Sequence, residues 1–451
     1  MKQTINLFFV AFAAFVFLST GCQKDPKNFH DGDNKPGEGQ HGHLKDTKSY
    51  SSDVAFAWMK MQLQLMKTAT GIANVAFSRH YAYSGIALYE AIVPGMPSFR
   101  SLEGQLNGLS GLPRTNHGWA YHWPSAANAA LAFMNKHLFS TTSAANMVSI
   151  DSLENALSVL YKSEADDATI NRSIAFGKAI AQVVFDWSET DGYLHAGDPY
   201  TPPVGPGLWV PTPPALAAAS TPYWGNLRTM VPGSGEDAQP GPPTAYSTDP
   251  GSDFYKMVKQ VYDASKTLTP EQTAMALYWR DIPGVTTPGH YLSILEQVLE
   301  QEKSTLNITG LAWALSGITV YDAGLSCWQT KYHYNLVRPI TYIRTVIGDA
   351  SWNSLLTTPA HPEYSSAHAL LSAANAEAMT AIFGDHYSFT DTTYNYLGMA
   401  PRSFASFRAI AEDAGNSRLY AGIHYQPSIN TGLLQGRKIA HNIARRLQFL
   451  K

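Results

Sequence analysis

From residue 51 onward, apolar residues recur at three- and four-residue spacing in segment after segment. That period belongs to amphipathic helices rather than to strands. It runs through residues 55–66, 75–92, 127–138, 145–161 and 170–187, and returns in 251–264, 269–279, 289–303, 309–336, 399–415 and 431–447. Alanine is abundant and alternating β-branched runs are scarce, which argues against a sheet. The expected fold class is all-α, with helical bundles forming one domain over residues 51–451 and arranged as two four-helix bundles merged together. With 45% of 451 residues apolar, the chain can fill a core of that size.

One long interruption stands out at residues 194–250, where prolines crowd Pro202 to Pro250 with glycines between them. A loop this long inside a globular chain is either functional or disordered. Its aromatic residues, Trp209, Tyr223, Trp224 and Tyr246, argue for an ordered one.

The residues that carry chemistry gather between Trp328 and His424 in three short constellations. The first is Lys331 with Arg338-Pro339. The second is Pro362-Glu363-Tyr364-Ser365-Ser366-Ala367-His368. The third is Ser417-Arg418 with His424. Lys331 and Arg338 lie seven residues apart, which places both on one helix face, and Pro339 should end that helix at Arg338. The second constellation opens a helix. Ser365 or Ser366 serves as N-cap, Leu370, Ala374, Ala378 and Ile382 form an apolar stripe, and Gly384 ends it. The free N–H groups of Ser366, Ala367 and His368 would then form an anion site at the helix start. Three cations converging on one point repel one another unless an anion neutralises them, so the set reads as an oxyanion site.

The pattern Lys-x6-Arg-Pro, then Pro-x-Tyr-x-Ser-x-His, then Ser-Arg-x5-His resembles the vanadium-dependent haloperoxidases. The type 2 phosphatidic acid phosphatase superfamily shares the signature and binds phosphate where haloperoxidases bind vanadate. The resemblance implies vanadate as cofactor, with His424 as its single protein ligand. Lys331, Arg338 and Arg418 would neutralise its oxygens, and Ser366 and the Ala367 N–H would hydrogen-bond to them. It further implies His368 as the acid–base residue and Lys331 as the group that contacts and polarises the peroxide. Trp328 and His361 match residues lining the halide approach, although His361 reads equally as a supporting hydrogen-bond donor. The substrates implied are hydrogen peroxide and a halide, with iodide or bromide favoured over chloride.

Two positions depart from the family pattern. Ala367 stands where a Gly is usual. Ser428 stands where an Asp usually follows the ligand His by four residues. Ser428 is expected to orient His424 more weakly than that Asp, so restoring Asp there should tighten vanadate binding. Segment 207–225 is similar to a loop folded over the site in bacterial family members, so loop 194–250 is expected to line or cover the pocket; the alternative is a surface meander. Arg79, Tyr81, Tyr83, Tyr89 and Glu90 share one helix and read as packing and internal hydrogen bonding. Asp322 reads either as a carboxylate partner for a site arginine or as an incidental ion pair.

The other functional classes are a phosphatase working through a phosphohistidine on His424 and a non-catalytic surface lipoprotein with a decayed site. A net charge of −3 gives no reason to expect nucleic acid. Two cysteines exclude a disulfide scaffold. Residues 1–22 read as a signal peptide, with small residues before Cys22 resembling a bacterial lipoprotein cleavage site; the alternative is ordinary cleavage nearby. Residues 23–50 read as a flexible tether, and its His30, His41 and His43 as solvated. Membrane contact would then come only through the lipid anchor, in the bacterial envelope.

Overall fold

The structure, a computed structural model, describes residues 45–451. The expected signal peptide, Cys22 and the tether histidines lie outside the described residues. Thirteen helices are present among the described residues. The first five are α1 (Asp53–Thr68), α2 (Phe77–Ile92), α3 (Trp123–Leu138), α4 (Ala144–Tyr161) and α5 (Asp167–Ser188). After the proline-rich loop come α6 (Asp253–Lys266), α7 (Pro270–Tyr278), α8 (Thr287–Gln301) and α9 (Leu306–Tyr334). Then follow α10 (Pro339–Tyr342), α11 (Ala367–Phe383), α12 (Phe407–Tyr420) and α13 (Gln426–Arg446).

Helix α9 has 29 residues, on the order of 44 Å at 1.5 Å per residue, and is the spine. It packs on α2 along one side and on α11 and α13 along the other. Helices α3 and α5 complete the first group against α2, and α12 completes the second against α11 and α13. Helix α2 is buried on every face although it carries Ser78, Arg79, His80, Ser84 and Glu90. Its polar residues are satisfied internally: Arg79 Nε donates to Asp191 at 2.7 Å, and the Tyr81 hydroxyl donates to Ser316 at 2.7 Å. Backbones meet closely where glycines allow it. A Cβ on Gly432 of α13 would stand 2.7 Å from the Ser366 carbonyl, and one on Gly436 would collide with the Leu370 carbonyl. Helix α13 therefore rests directly on the first turn of α11.

The structure departs from the sequence expectation in three places. The helix expected at 399–415 starts only at Phe407, where the Ser406 hydroxyl caps it by accepting from the Ala409 N–H at 3.1 Å. The residues before it hold a short strand, β2 (Arg402–Phe404), paired antiparallel with β1 (Phe389–Asp391). Finally, α9 ends at Tyr334 rather than at Arg338. Asn335 takes the left-handed conformation at φ 47 and stops the helix before Pro339 can.

The proline-rich loop is ordered and bonded to the end of α9. Trp209 N–H donates to the Asn335 carbonyl at 2.6 Å, Val337 N–H to Gly207 at 2.9 Å, and Ser220 N–H to Ala360 at 2.7 Å. Asp322 serves this loop and no arginine: it accepts from the N–H groups of Met230 at 2.7 Å and Val231 at 3.0 Å. Burial still pushes its carboxyl up to about 6.

Candidate functional site

Lys331 lies in the last turn of α9 and is fully buried. Its ammonium donates to the carbonyls of Pro362 and Glu363, both at 2.9 Å. Arg338 does not share its helix. It sits beyond the Asn335 turn, just before α10, with extended backbone because Pro339 follows. From there Nε reaches the His361 carbonyl at 2.9 Å, Nη1 the Ile423 carbonyl at 2.8 Å, and Nη2 the His361 Nδ1 at 2.9 Å. Arg338 Nη1 also lies 3.3 Å from His424 Nε2. Lys331, Arg338, His361 and His424 are thus brought together from three chain segments.

The second constellation does open a helix, with Ser366 as N-cap of α11 and Ala367 as its first residue. The Ser366 N–H is not free as expected; it donates to the Ser428 carbonyl at 3.2 Å. The Ser366 hydroxyl, by contrast, is buried without a partner. His368 Nε2 lies 3.0 Å from the Thr287 hydroxyl, which donates to Asp281 at 2.8 Å. Trp328 packs against His361 with ring centroids 5.1 Å apart, and its indole Nε1 is buried without a partner. Tyr364 is a packing residue whose hydroxyl donates to Gly241 in the loop at 2.9 Å.

In the third constellation, Arg418 near the end of α12 donates through Nε to Ser417 at 2.9 Å and through Nη2 to the Ala276 carbonyl at 3.1 Å. His424 lies in the turn before α13. Its Nδ1 is 2.7 Å from Glu363 Oε1, so Nδ1 carries the proton and Nε2 presents a lone pair. The expected role of Ser428 is corrected. Its hydroxyl donates to Glu363 Oε2 at 2.5 Å and is not the partner of His424. Glu363 was present in the second motif with no role attached. Its partners lie more than 60 residues away, so no local spacing reveals the contact.

The electrostatics follow from burial. Lys331, Arg338 and Arg418 are all buried, and none makes an ion pair among the described residues. Burial lowers Lys331 to about 7, and Arg338 and Arg418 each to about 10. Burial, then the charges of Arg338 and Lys331, holds His424 well below the usual histidine range. Burial, then Arg418, brings His368 down to about 3. Burial raises the Glu363 carboxyl, and the Ser428 hydroxyl and the charge of Arg338 oppose that rise. Lys331 and Arg338 therefore lie near a Glu363 carboxylate that is already spoken for, and Arg418 lies near Asp281 without bonding to it, an arrangement that suits a multivalent anion.

A solved structure of a bacterial vanadium-dependent iodoperoxidase is 32% identical, with TM-score 0.81, and the match covers 89% of this chain and 98% of that one. The chain belongs to the vanadium-dependent haloperoxidase family. The family of the VCPO second helical-bundle domain matches residues 312–450, which hold all three constellations. Holo and apo structures of a bacterial vanadium-dependent chloroperoxidase share the fold at TM-score 0.63 and 16% identity, over 84% of this chain. Comparison with curated proteins gave no match.

The residues of this haloperoxidase-family chain fit a bound vanadate. The partnerless Ser366 hydroxyl supplies a donor, the three cations supply charge, and His424 Nε2 supplies a lone pair. Ala367 at the first position of α11 has a backbone N–H with no partner within its helix. The Gly-to-Ala departure leaves that donor in place.

Proposed function

We propose that this protein oxidises a halide, iodide first and bromide second, with hydrogen peroxide and with vanadate as its cofactor. The observation that carries the reading is a set of three buried cations lacking ion-pair partners, with Lys331 and Arg338 beside His424 and Arg418 beside His368. Vanadate held there supplies Lewis-acid activation of peroxide without a change in metal oxidation state. Lys331, Arg338 and Arg418 bind and neutralise the anion, and Ser366 and the Ala367 N–H orient it. His424 holds its proton at Nδ1 and offers Nε2. His368 is neutral in the vanadate-free site. Burial, then the Arg418 charge, disfavours its protonation, and a bound anion would offset the second of these. Asp281, about one quarter exposed, links His368 to solvent through Thr287.

The preference for iodide rests on the 32% identity to an iodoperoxidase and on His361, whose Nδ1 accepts from Arg338 beside Trp328. The reading also includes export through residues 1–22 and lipid attachment at Cys22, which labelling with a radioactive fatty acid in the source cell would test. The test of activity is hypohalite formation from iodide, bromide and chloride at matched peroxide, with and without added vanadate. Vanadate-dependent turnover of iodide above bromide, with little chloride turnover, is expected. Efficient chloride turnover would overturn the halide preference. Failure with all three halides, together with vanadate-inhibited hydrolysis of a phosphate ester, would move the reading to a phosphatase using His424 as nucleophile. Inactivity in both assays would leave a non-catalytic anion-binding lipoprotein.

A further inference from the structure

We propose that Glu363 is the positioning residue of this site: its buried carboxylate holds His424 with Nε2 unprotonated, and Ser428 is fitted to Glu363 rather than to His424. The inference rests on reading His424 as the group that binds the anion. It concerns how this chain keeps that histidine oriented when the Asp usual at position 428 is missing.

The geometry is complete around the carboxylate. Oε1 accepts from His424 Nδ1 at 2.7 Å and from the Tyr425 N–H at 3.0 Å. Oε2 accepts from the Ser428 hydroxyl at 2.5 Å. All three donors come from one five-residue segment, so the carboxylate clamps the turn between α12 and α13 as well as the imidazole. The same residue acts a second time through its backbone. The Glu363 carbonyl accepts from Lys331 Nζ at 2.9 Å. One residue therefore sets both the imidazole and one of the cations.

This arrangement changes what Ser428 means. A histidine that must offer one nitrogen needs its other N–H fixed by an acceptor, most often a carboxylate or carbonyl. In the family pattern given above, that acceptor follows the ligand His by four residues. Here it comes from the segment before α11, and position 428 supplies a donor to hold it. An Asp at 428 would place a second carboxylate within hydrogen-bonding distance of Glu363, where two negative charges cannot both persist without cost. Glu363 and Ser428 thus work as a pair, and exchanging one alone disrupts the other.

The experiment compares wild type, Glu363→Ala, Ser428→Asp and the double variant Glu363→Ala/Ser428→Asp, with Glu363→Gln as the conservative control. Two quantities are read. The first is vanadate affinity by calorimetry. The second is the His424 ring nitrogen spectrum of the vanadate-free protein labelled with 15N-histidine, assigned by comparison with His424→Ala. In wild type, Nδ1 should be the protonated nitrogen and Nε2 the bare one. Glu363→Ala should lose that single-tautomer signature and weaken vanadate binding by roughly tenfold to a hundredfold, the usual range for such supporting groups. Glu363→Gln keeps an acceptor facing Nδ1, so it should keep the signature, and it covers the case in which the alanine variant does not fold. Ser428→Asp alone should weaken binding, whereas the double variant should recover part of what Glu363→Ala lost.

Wild-type affinity and an unchanged His424 spectrum in Glu363→Ala would overturn the proposal. So would tighter binding in Ser428→Asp alone. The spectral comparison needs no vanadate, so it decides the role of Glu363 even if the haloperoxidase reading fails.

Discussion

Two buried arginine clusters in this molecule look alike in composition and differ in bookkeeping of charge. On α2, Arg79 meets Asp191 at 2.7 Å and Glu189 at 3.4 Å, and both arginine and aspartate are buried. At the candidate site, Arg338, Arg418 and Lys331 are equally buried, yet their hydrogen bonds go to carbonyls, a hydroxyl and imidazole nitrogens. In the first cluster the cation bonds directly to carboxylates. In the second no cation does, although Glu363 lies near Lys331 and Arg338 and Asp281 near Arg418. A buried cation with a carboxylate beside it is part of the fold, and one without it points to a ligand.

The largest effect that would sharpen this contrast comes from the histidine. His424→Ala should abolish tight vanadate retention while the helical circular dichroism stays unchanged, because the only nitrogen offered to the ligand is gone. Equilibrium dialysis checks this, and retention at wild-type level would remove His424 from the site.

The next effect separates the clusters directly. Arg79→Ala leaves Asp191 buried without its partner and should cost about 3–5 kcal/mol of stability in urea unfolding. Arg418→Met should leave the stability of the vanadate-free protein equal or higher while weakening vanadate binding. If Arg418→Met destabilises as much as Arg79→Ala, the two clusters are not different in kind.

A smaller effect should follow from filling the site. Vanadate at a hundredfold excess over its dissociation constant should stabilise the wild type by about 2.7 kcal/mol. His424→Ala should show much less of this gain at the same concentration, and paired thermal melts read the difference.

The smallest effect is on pH dependence. Lys331 is lowered from 10.5 to about 7, so the unfolded chain binds a proton there that the folded one does not across this window. Stability from this group therefore rises with pH between about 7 and 10.5 and is flat below it. Relative to Lys331→Met, the vanadate-free wild type should gain on the order of 1 kcal/mol from pH 7 to 8. A pH-independent difference would contradict the lowered value.

The sequence carried the helices well because their burial is one-sided and periodic, as in α1 and α5. Through residue type and spacing it also marked Lys331, Arg338, His368, Arg418 and His424 as candidate site residues. It failed where a local conformation outranked a general rule. Asn335 ends α9 by adopting the left-handed region, and nothing around it marks that more strongly than Pro339 four residues later. The strands β1 and β2 have three residues each, too few for a period to show. Glu363 escaped because its role depends on a turn 61 to 65 residues downstream, a distance no motif spans. Loop 194–250 was legible as ordered from its tryptophans, and Trp209 and Trp224 are fully buried.

The seating of α13 on α11 has a mechanical consequence for the site. Ser366 hangs from one helix start and Ser428 from the other, and the distance between them is set by backbone touching backbone at Gly432 and Gly436. Main-chain atoms have no rotamers with which to give way, so this contact works as a gap gauge. The contact sets how closely the two halves of the site approach each other. Binding then means exchanging water for anion within a fixed frame, without jaws that must first close. A single methyl group at Gly432 would reset the gauge from behind, by pressing on the Ser366 carbonyl rather than on the side of Ser366 that faces the site.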